Sequence, residues 1–158
     1  MAILQEGQKA PAFKGPDQNG NMISLADYKG KKVVLYFYPH DDTPTCTVQA
    51  CNLRDNYGSL LSKGYQVIGV SEDSVESHKK FEQKFDLPFP LISDEKQQIL
   101  KKYGVWDWKT FMGNTYIGTH RTTFLIDEKG KIVKVFLRPK NKQHAEEIIR
   151  EFENLKID

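Results

Sequence analysis

One stretch constrains the fold more than any other: an apolar run that stops at a proline, with a helix start and a cysteine directly after it. Residues 33–38 are β-branched and aromatic, which is typical of a buried strand, and Pro39 ends that strand. Thr43 has the character of a helix N-cap, and Pro44 suits the first helical position, where a missing N–H costs nothing. Cys46 then falls in the first turn of a helix, where the backbone N–H groups favour a thiolate.

Strand and helix patterns alternate along the rest of the chain. Strands are predicted at 65–71, 89–93, 122–126 and 132–136, and helices at 44–64, 75–85, 95–103 and from Gln143. The buried face of the terminal helix is predicted to consist of Ala145, Ile148, Ile149, Phe152 and Leu155. A short hairpin is expected within residues 12–25, and a tight turn at 127–130 joins the last two strands. The aromatic stretch 104–118 favours neither period and is expected to be a loop that covers the site.

This order of elements predicts a fold class. It indicates an α/β protein of the thioredoxin-like type, with a central mixed sheet, helices on both faces and an N-terminal β-hairpin extension. A chain of 158 residues fits one domain, residues 1–158.

Composition excludes several classes of function. The 23 basic and 21 acidic residues are spread along the chain and nearly cancel, so charge indicates neither nucleic acid nor an anionic membrane as a partner. No apolar run has the length of a membrane span, and the first residues lack the pattern of a signal peptide, so the cytosol is the expected location. In that compartment two cysteines are poor candidates for a permanent disulfide, which leaves inert thiols, a metal pair or redox chemistry.

Thiolate formation at Cys46 needs more than a helix terminus. Lowering a cysteine pKa from about 8.5 to about 6 takes roughly 3.4 kcal/mol, whereas a helix terminus supplies at best about 2 kcal/mol. A cation is therefore expected near the thiol, and Arg121 is the candidate because it begins a buried strand. We also expect the Thr43 oxygen to accept the N–H of Cys46, which leaves the Thr43 hydroxyl proton free to donate.

The spacing of the two cysteines sets a second condition. On an ideal helix, positions five apart differ by about 140° and their Cα atoms lie about 8.6 Å apart. A disulfide usually needs Cα atoms within about 6.8 Å. A bond between Cys46 and Cys51 therefore requires the first turns of the helix to unwind.

Three functions remain open on these residues. A thiol peroxidase is one, and a dithiol oxidoreductase acting on protein disulfides is another, although the latter chemistry prefers two residues between its cysteines rather than four. A copper-binding protein using two cysteines and a distant histidine is the third. His40 is interpreted as a solvated loop residue rather than a ligand. Neither alternative to the peroxidase accounts for Thr43 and Arg121.

The same residues carry a resemblance to a known family. Pro39, Thr43 and Cys46 reproduce the Pro-x-x-x-Thr-x-x-Cys signature of peroxiredoxins, and residues 36–51 resemble the bacterioferritin-comigratory, or Q-type, subfamily. The similarity covers nearly the whole chain and extends to residues 103–106, 116–118 and 121–127. Position 45 is threonine where many Q-type relatives have glycine; because helical φ suits threonine, we expect a small effect on the pocket and no loss of activity.

The resemblance implies a reaction and roles for the residues. Cys46 would attack the peroxide O–O bond, and Cys51 would condense with the resulting sulfenic acid. Thr43 would orient thiolate and peroxide, Arg121 would stabilise the thiolate and the developing oxyanion, and Pro39 would shield the site from water. Hydrogen peroxide and organic hydroperoxides would be the substrates, and a thioredoxin-type dithiol protein the reductant. No metal, haem or flavin is implied, and the protein is expected to be a monomer, with a weak homodimer as the alternative.

Overall fold

The computed structural model describes the backbone of residues 3–157 and the side chains of residues 3–153. The strands are β1 (Lys14–Pro16), β2 (Met22–Ser24), β3 (Lys32–Phe37), β4 (Tyr65–Ser71), β5 (Leu91–Ser93), β6 (Trp106–Phe111), β7 (Asn114–Thr119), β8 (Thr122–Ile126) and β9 (Ile132–Phe136). The helices are α1 (Pro44–Asp55), α2 (Tyr57–Ser62), α3 (Val75–Phe85), α4 (Gln98–Lys102) and α5 (His144–Ile157), with 3₁₀ turns at Leu25–Tyr28 and Asn141–Gln143.

Five strands form the central sheet in the order β5-β4-β3-β8-β9. β3 runs parallel to β4, and β4 parallel to β5, as strands joined by helical crossovers do. β8 is antiparallel to both β3 and β9, so the sheet is mixed. β1 and β2 form the N-terminal hairpin, outside this sheet. The predicted thioredoxin-like architecture is confirmed.

After Lys32, strand β3 is apolar because both of its faces are buried. Val34 and Tyr36 pack on one face against side chains of α1, α2, α3 and α5. Val33, Leu35 and Phe37 point to the other face, which is covered by α4 and the segment around Ala10 and Phe13. The loop that leads to the start of α1 therefore follows a strand that is buried on both faces. None of the described helices is long and apolar enough to cross a membrane.

The predicted helix over 44–64 is two helices. The chain leaves helical geometry at Asn56, whose φ is −111° and ψ 12°. The Asn56 side chain donates to the carbonyl of Asn52 at 2.9 Å, which is the local competition with the backbone that makes asparagine a poor residue inside helices. The Asn52 side chain, in turn, donates to the Lys142 carbonyl at 2.9 Å and accepts the Ala145 N–H at 2.7 Å. The C-terminal half of α1 is thereby bonded to the start of α5.

The predicted loop over 104–118 is wrong, because most of this stretch is a β-hairpin. β6 and β7 pair antiparallel, from Trp106 opposite Thr119 to Phe111 opposite Asn114. The turn residues Met112 and Gly113 have φ of 51° and 81°, the two positive values that a type I′ hairpin turn requires. This turn could not be predicted from residue type because methionine rarely adopts positive φ.

The other boundaries agree with the sequence within a few residues. β4, α3, β8 and β9 have the predicted bounds. β5 and α4 are shorter than predicted, and α5 begins one residue later. Ala145 and Ile148 are buried as expected, whereas the side chain of Leu155 lies outside the described residues.

Candidate active site

The pairing of β3 with β8 brings the two halves of the site together. Phe37, the last residue of β3, lies opposite Thr122, the first residue of β8. Arg121 precedes β8, and the loop that leads into α1 follows β3, so both lie at the same edge of the sheet. The antiparallel register of β3 and β8 therefore brings Cys46 and Arg121 close together, although they are far apart in the sequence.

Cys46 lies in the first turn of α1 and contacts the guanidinium of Arg121. Its side chain is 1% exposed, and Nη2 of Arg121 is 3.1 Å from its sulfur. Nη1 of the same guanidinium donates to Oε1 of Gln49 at 2.7 Å. Because Gln49 lies one turn after Cys46 on the same face of α1, the planar guanidinium is held at two points on one helix.

Two basic side chains lie near the Cys46 sulfur, and Arg121 is in contact with it. The guanidinium lies at the start of α1, where the partial positive charge of the helix N-terminus also favours an anion. Lys109 is a second cation nearby: burial lowers its pKa, and the charge of Arg121 lowers it further, while Cys46 raises it. Lys109 Nζ donates to the Thr119 carbonyl at 2.7 Å.

Thr43 occupies the N-cap position but does not cap with its side chain. Its φ of −81° and ψ of 155° are those of an N-cap, and its carbonyl accepts the Thr47 N–H at 2.9 Å. The hydroxyl donates instead to the His40 carbonyl, 3.3 Å away in the preceding loop. The prediction that the Thr43 oxygen accepts the Cys46 N–H is therefore wrong, since the hydroxyl is turned into the loop. The N–H groups of the first turn are not occupied by this cap.

The remaining predicted residues lie around this turn. Cys51 is half-buried further along α1, and burial raises the pKa of its thiol. Both cysteines are free thiols, and α1 is continuous across them. Pro39 is half-buried at the start of the loop. Thr45 lies within α1, and positive φ in this region falls on Asp42 instead, at 59°, so threonine is unstrained at position 45.

Two features of the site have weak sequence signals. Gln49 follows Cys46 by three residues, a spacing that predicts a shared helix face but not contact with a distant arginine. The second is a buried group of polar side chains behind the loop, centred on Asp41 and called the Asp41 cluster here: Tyr38, Asp41, Ser77 and His78. Its members come from the loop and from α3, so only the tertiary structure brings them together.

One group of potential metal ligands occurs among the described residues. Ligand atoms of Asp41, Asp73 and His78 lie within 4.8 Å of one another. These atoms already make hydrogen bonds: Asp41 and His78 bond to each other at 2.7 Å, and Asp73 accepts from the Asp41 N–H at 2.8 Å. Neither cysteine belongs to a metal-ligand group in the described part of the chain, so the geometry gives the copper hypothesis no support.

Comparison with known proteins identifies relatives that span the chain. The pattern of the AhpC/TSA family matches residues 6–135. The chain is 47% identical to peroxiredoxin Bcp of Escherichia coli K12 over 149 residues, which cover 94% of this chain and 96% of that protein. It is 41% identical to peroxiredoxin Bcp of Bacillus subtilis over 152 residues, 96% and 97% of the two chains.

Solved structures agree with these matches. A cysteine-to-serine mutant of PrxQ from Xylella fastidiosa superposes with a TM-score of 0.91 at 29% identity and covers 99% of both chains. The bacterioferritin comigratory protein of Xanthomonas campestris, from a study of its alkyl peroxide reduction activity, superposes with a TM-score of 0.84 at 29% identity over 90% of both chains.

Proposed function

Because the chain belongs to the AhpC/TSA family and is a thiol-dependent peroxidase of the bacterioferritin-comigratory (Q) type, we propose that Cys46 is its peroxidatic cysteine and Cys51 its resolving cysteine. The observation that carries the first assignment is the 3.1 Å contact between Arg121 Nη2 and the Cys46 sulfur at the start of α1. A cation in contact with the sulfur favours the thiolate, which is the nucleophilic form of cysteine.

The first step is attack of the Cys46 thiolate on the peroxide. A sulfur–oxygen bond forms while the O–O bond breaks, and the departing oxygen takes up a proton to leave as water or an alcohol. Arg121 stabilises both the thiolate and the negative charge that develops on that oxygen. The Thr43 hydroxyl oxygen, whose proton is donated to the His40 carbonyl, accepts a hydrogen bond from the peroxide. The first-turn N–H groups also orient the peroxide, and Pro39 covers the site against water.

The second step joins the two cysteines. Cys51 attacks the sulfur of the Cys46 sulfenic acid, a disulfide forms, and the hydroxyl leaves as water. Ideal helix geometry separates the two Cα atoms by about 8.6 Å, beyond the reach of a disulfide, so the start of α1 unwinds before this step. The raised pKa of the Cys51 thiol means that most of it is protonated at neutral pH in the folded state, where it does not compete for peroxide.

The third step restores both thiols by exchange with a thioredoxin-type dithiol protein. Its attack on the Cys46–Cys51 disulfide transfers two electrons and releases the reductant as a disulfide. Such a cycle operates in a reducing compartment, which supports the cytosol as its location. Hydrogen peroxide and alkyl hydroperoxides are the proposed substrates, the latter supported by the activity studied in the Xanthomonas relative. We propose that one chain is sufficient, since both cysteines lie on one helix.

Mass spectrometry tests the assignment directly. One equivalent of peroxide should produce a loss of two hydrogens, mapped to Cys46 and Cys51 within one chain. Cys46→Ser should abolish peroxide consumption, whereas Cys51→Ser should consume one equivalent and then fail to be recycled by thioredoxin. Normal thioredoxin-dependent cycling by Cys51→Ser would refute the resolving role, and peroxide consumption by Cys46→Ser would refute the peroxidatic one.

A further inference from the structure

The Asp41 cluster fixes the loop between β3 and α1 through nearly every polar atom that Asp41 offers. Its side chain is 4% exposed. Oδ1 accepts the Tyr38 hydroxyl at 2.6 Å, and Oδ2 accepts the Ser77 hydroxyl at 2.8 Å and lies 2.7 Å from His78 Nδ1. The Asp41 backbone N–H donates to Asp73 Oδ2 at 2.8 Å. The loop is thus bonded to α3 and to the turn that precedes it.

The buried His78 ring is bonded on both sides, to Asp41 and to the backbone of Ile92. His78 Nε2 lies 3.0 Å from the carbonyl oxygen of Ile92, and because a carbonyl only accepts, Nε2 carries a proton. The 2.7 Å contact on the other side of the ring also needs a proton between nitrogen and oxygen. Breaking such a pair leaves an uncompensated buried group, which is costly.

The position of the cluster connects it with catalysis. Asp41 is two residues before Thr43 and five before Cys46, and the Thr43 hydroxyl bonds within this same loop, to His40. The side chain of Thr43 does not fasten the start of α1. The orientation of Thr43 and of the first helical turn therefore depends on the loop, and the loop depends on Asp41.

We propose that Asp41 is a positioning residue for peroxide reduction. Through the Asp41 cluster it holds Thr43 and the first turn of α1 in the geometry that attacks peroxide. It also limits how far the unwinding of α1 extends toward the N-terminus. This inference rests on the proposed roles of Cys46 and Cys51. Loss of the hydrogen bonds to Asp41 favours the unwound form of the start of α1, so it slows attack on peroxide but not disulfide formation. A residue that contributed only to the overall stability of the protein would not affect the rates of these two steps differently.

Stopped-flow kinetics on the full-length protein measures the two steps separately, with hydrogen peroxide as the substrate. Asp41→Ala should lower the rate constant of attack about tenfold or more and leave disulfide formation unchanged or faster. Asp41→Asn should recover most of the attack rate, because its oxygen can accept from Tyr38 and its amide can donate to His78. Asp42→Asn is the matched control, since Asp42 is exposed and forms an ion pair with the exposed Lys84, at 2.7 Å; its rates should stay within twofold of wild type.

Ser77→Ala keeps the test decisive if Asp41→Ala does not fold. It removes one hydrogen bond to Asp41 and should slow attack two- to threefold with no loss in the rate of disulfide formation. Equal slowing of both steps, or no change in either, would overturn the inference while leaving the proposed function intact. Absence of the Cys46–Cys51 disulfide in peroxide-treated wild type would instead overturn the proposed function.

Discussion

We expect the reactivity of Cys46 to depend most on Arg121. Its guanidinium contacts the sulfur at 3.1 Å and is the nearest cation to it among the contacts of the described residues. Arg121→Ala should reduce the thiolate fraction at neutral pH and slow attack on peroxide about 100-fold, in line with the loss of one preorganised donor. The pH dependence of thiolate absorbance and of peroxide consumption measures both effects. Arg138→Ala, at an exposed arginine, is the control; an unchanged thiolate titration in Arg121→Ala would contradict this role.

The position of an individual residue was predictable where it depends on neighbouring residues in the sequence. Thr43, Pro44 and Cys46 could be placed at a helix start because capping preferences act over a few residues. The direction of the Thr43 hydroxyl could not, since it is decided by a carbonyl in the folded loop. Gln49 and Asp41 were missed for a related reason: the partners that give them a role are 72 and 37 residues away.

At the scale of single elements, α1 is the one expected to change during the cycle. The amides of residues 47–51 should be protected from exchange in the reduced protein and should exchange much faster in the Cys46–Cys51 disulfide form. The reason is geometric, because a continuous helix separates the two Cα atoms by about 8.6 Å. Hydrogen exchange followed by mass spectrometry measures this, with α3 as the internal reference. Equal protection of these amides in a verified disulfide form would exclude unwinding.

The β6–β7 hairpin offers a test of turn chemistry. Met112 has a φ of 51° and a side chain that is 87% exposed, so its side chain contributes little packing to offset an unfavourable backbone conformation. Met112→Asn would create an Asn-Gly pair, the preferred sequence for such a turn, and should stabilise the protein by about 0.5–1 kcal/mol. Thermal unfolding should show a rise in Tm of roughly 2–4 °C at most. Met22→Asn, at an exposed strand position, should give no such rise.

Elements were predictable where one physical signal dominated. β4, β8 and β9 are apolar runs bounded by turn residues, and α3 has a clear amphipathic period, so their bounds agree with the sequence. The break at Asn56 and the hairpin at Met112 depend on single residues whose backbone angles their type does not dictate. Neighbouring strands and side-chain contacts decide those angles.

The whole molecule should lose stability in alkaline solution because several tyrosines are buried. Burial raises the pKa of Tyr65 from its ordinary value of 10.0 to about 12. Between these values the folded state keeps a proton that the unfolded state has lost, so this contribution is complete below pH 10 and disappears as pH rises through 12. Two pKa units correspond to about 3 kcal/mol.

Denaturant unfolding at a series of pH values measures this contribution. Tyr65→Phe should show a shallower fall in unfolding free energy between pH 10 and 12 than wild type. Tyr116→Phe, where the side chain is 44% exposed, should leave the slope unchanged. Identical slopes for wild type and Tyr65→Phe would refute the assigned contribution.

The whole fold was predictable because the alternation of strands and helices restricts the possible topologies. Parallel crossovers followed by a hairpin leave few arrangements of a mixed sheet, and the observed strand order is the thioredoxin-like one. The antiparallel placement of β8 beside β3 then determines where Arg121 meets Cys46.

The bonds that Asn52 makes to the start of α5 set the direction in which the active-site segment can move. Asn52 directly follows Cys51, and Asp41 is bonded to α3, so the chain between them is attached at both ends. Converting residues 46–51 from helix to extended chain adds about 1.8 Å of contour per residue, or roughly 11 Å in total. Because both ends of the segment are fixed, the added length can only loop outward, away from Arg121. We therefore expect unwinding to carry the new disulfide to the surface, where a protein reductant can reach it.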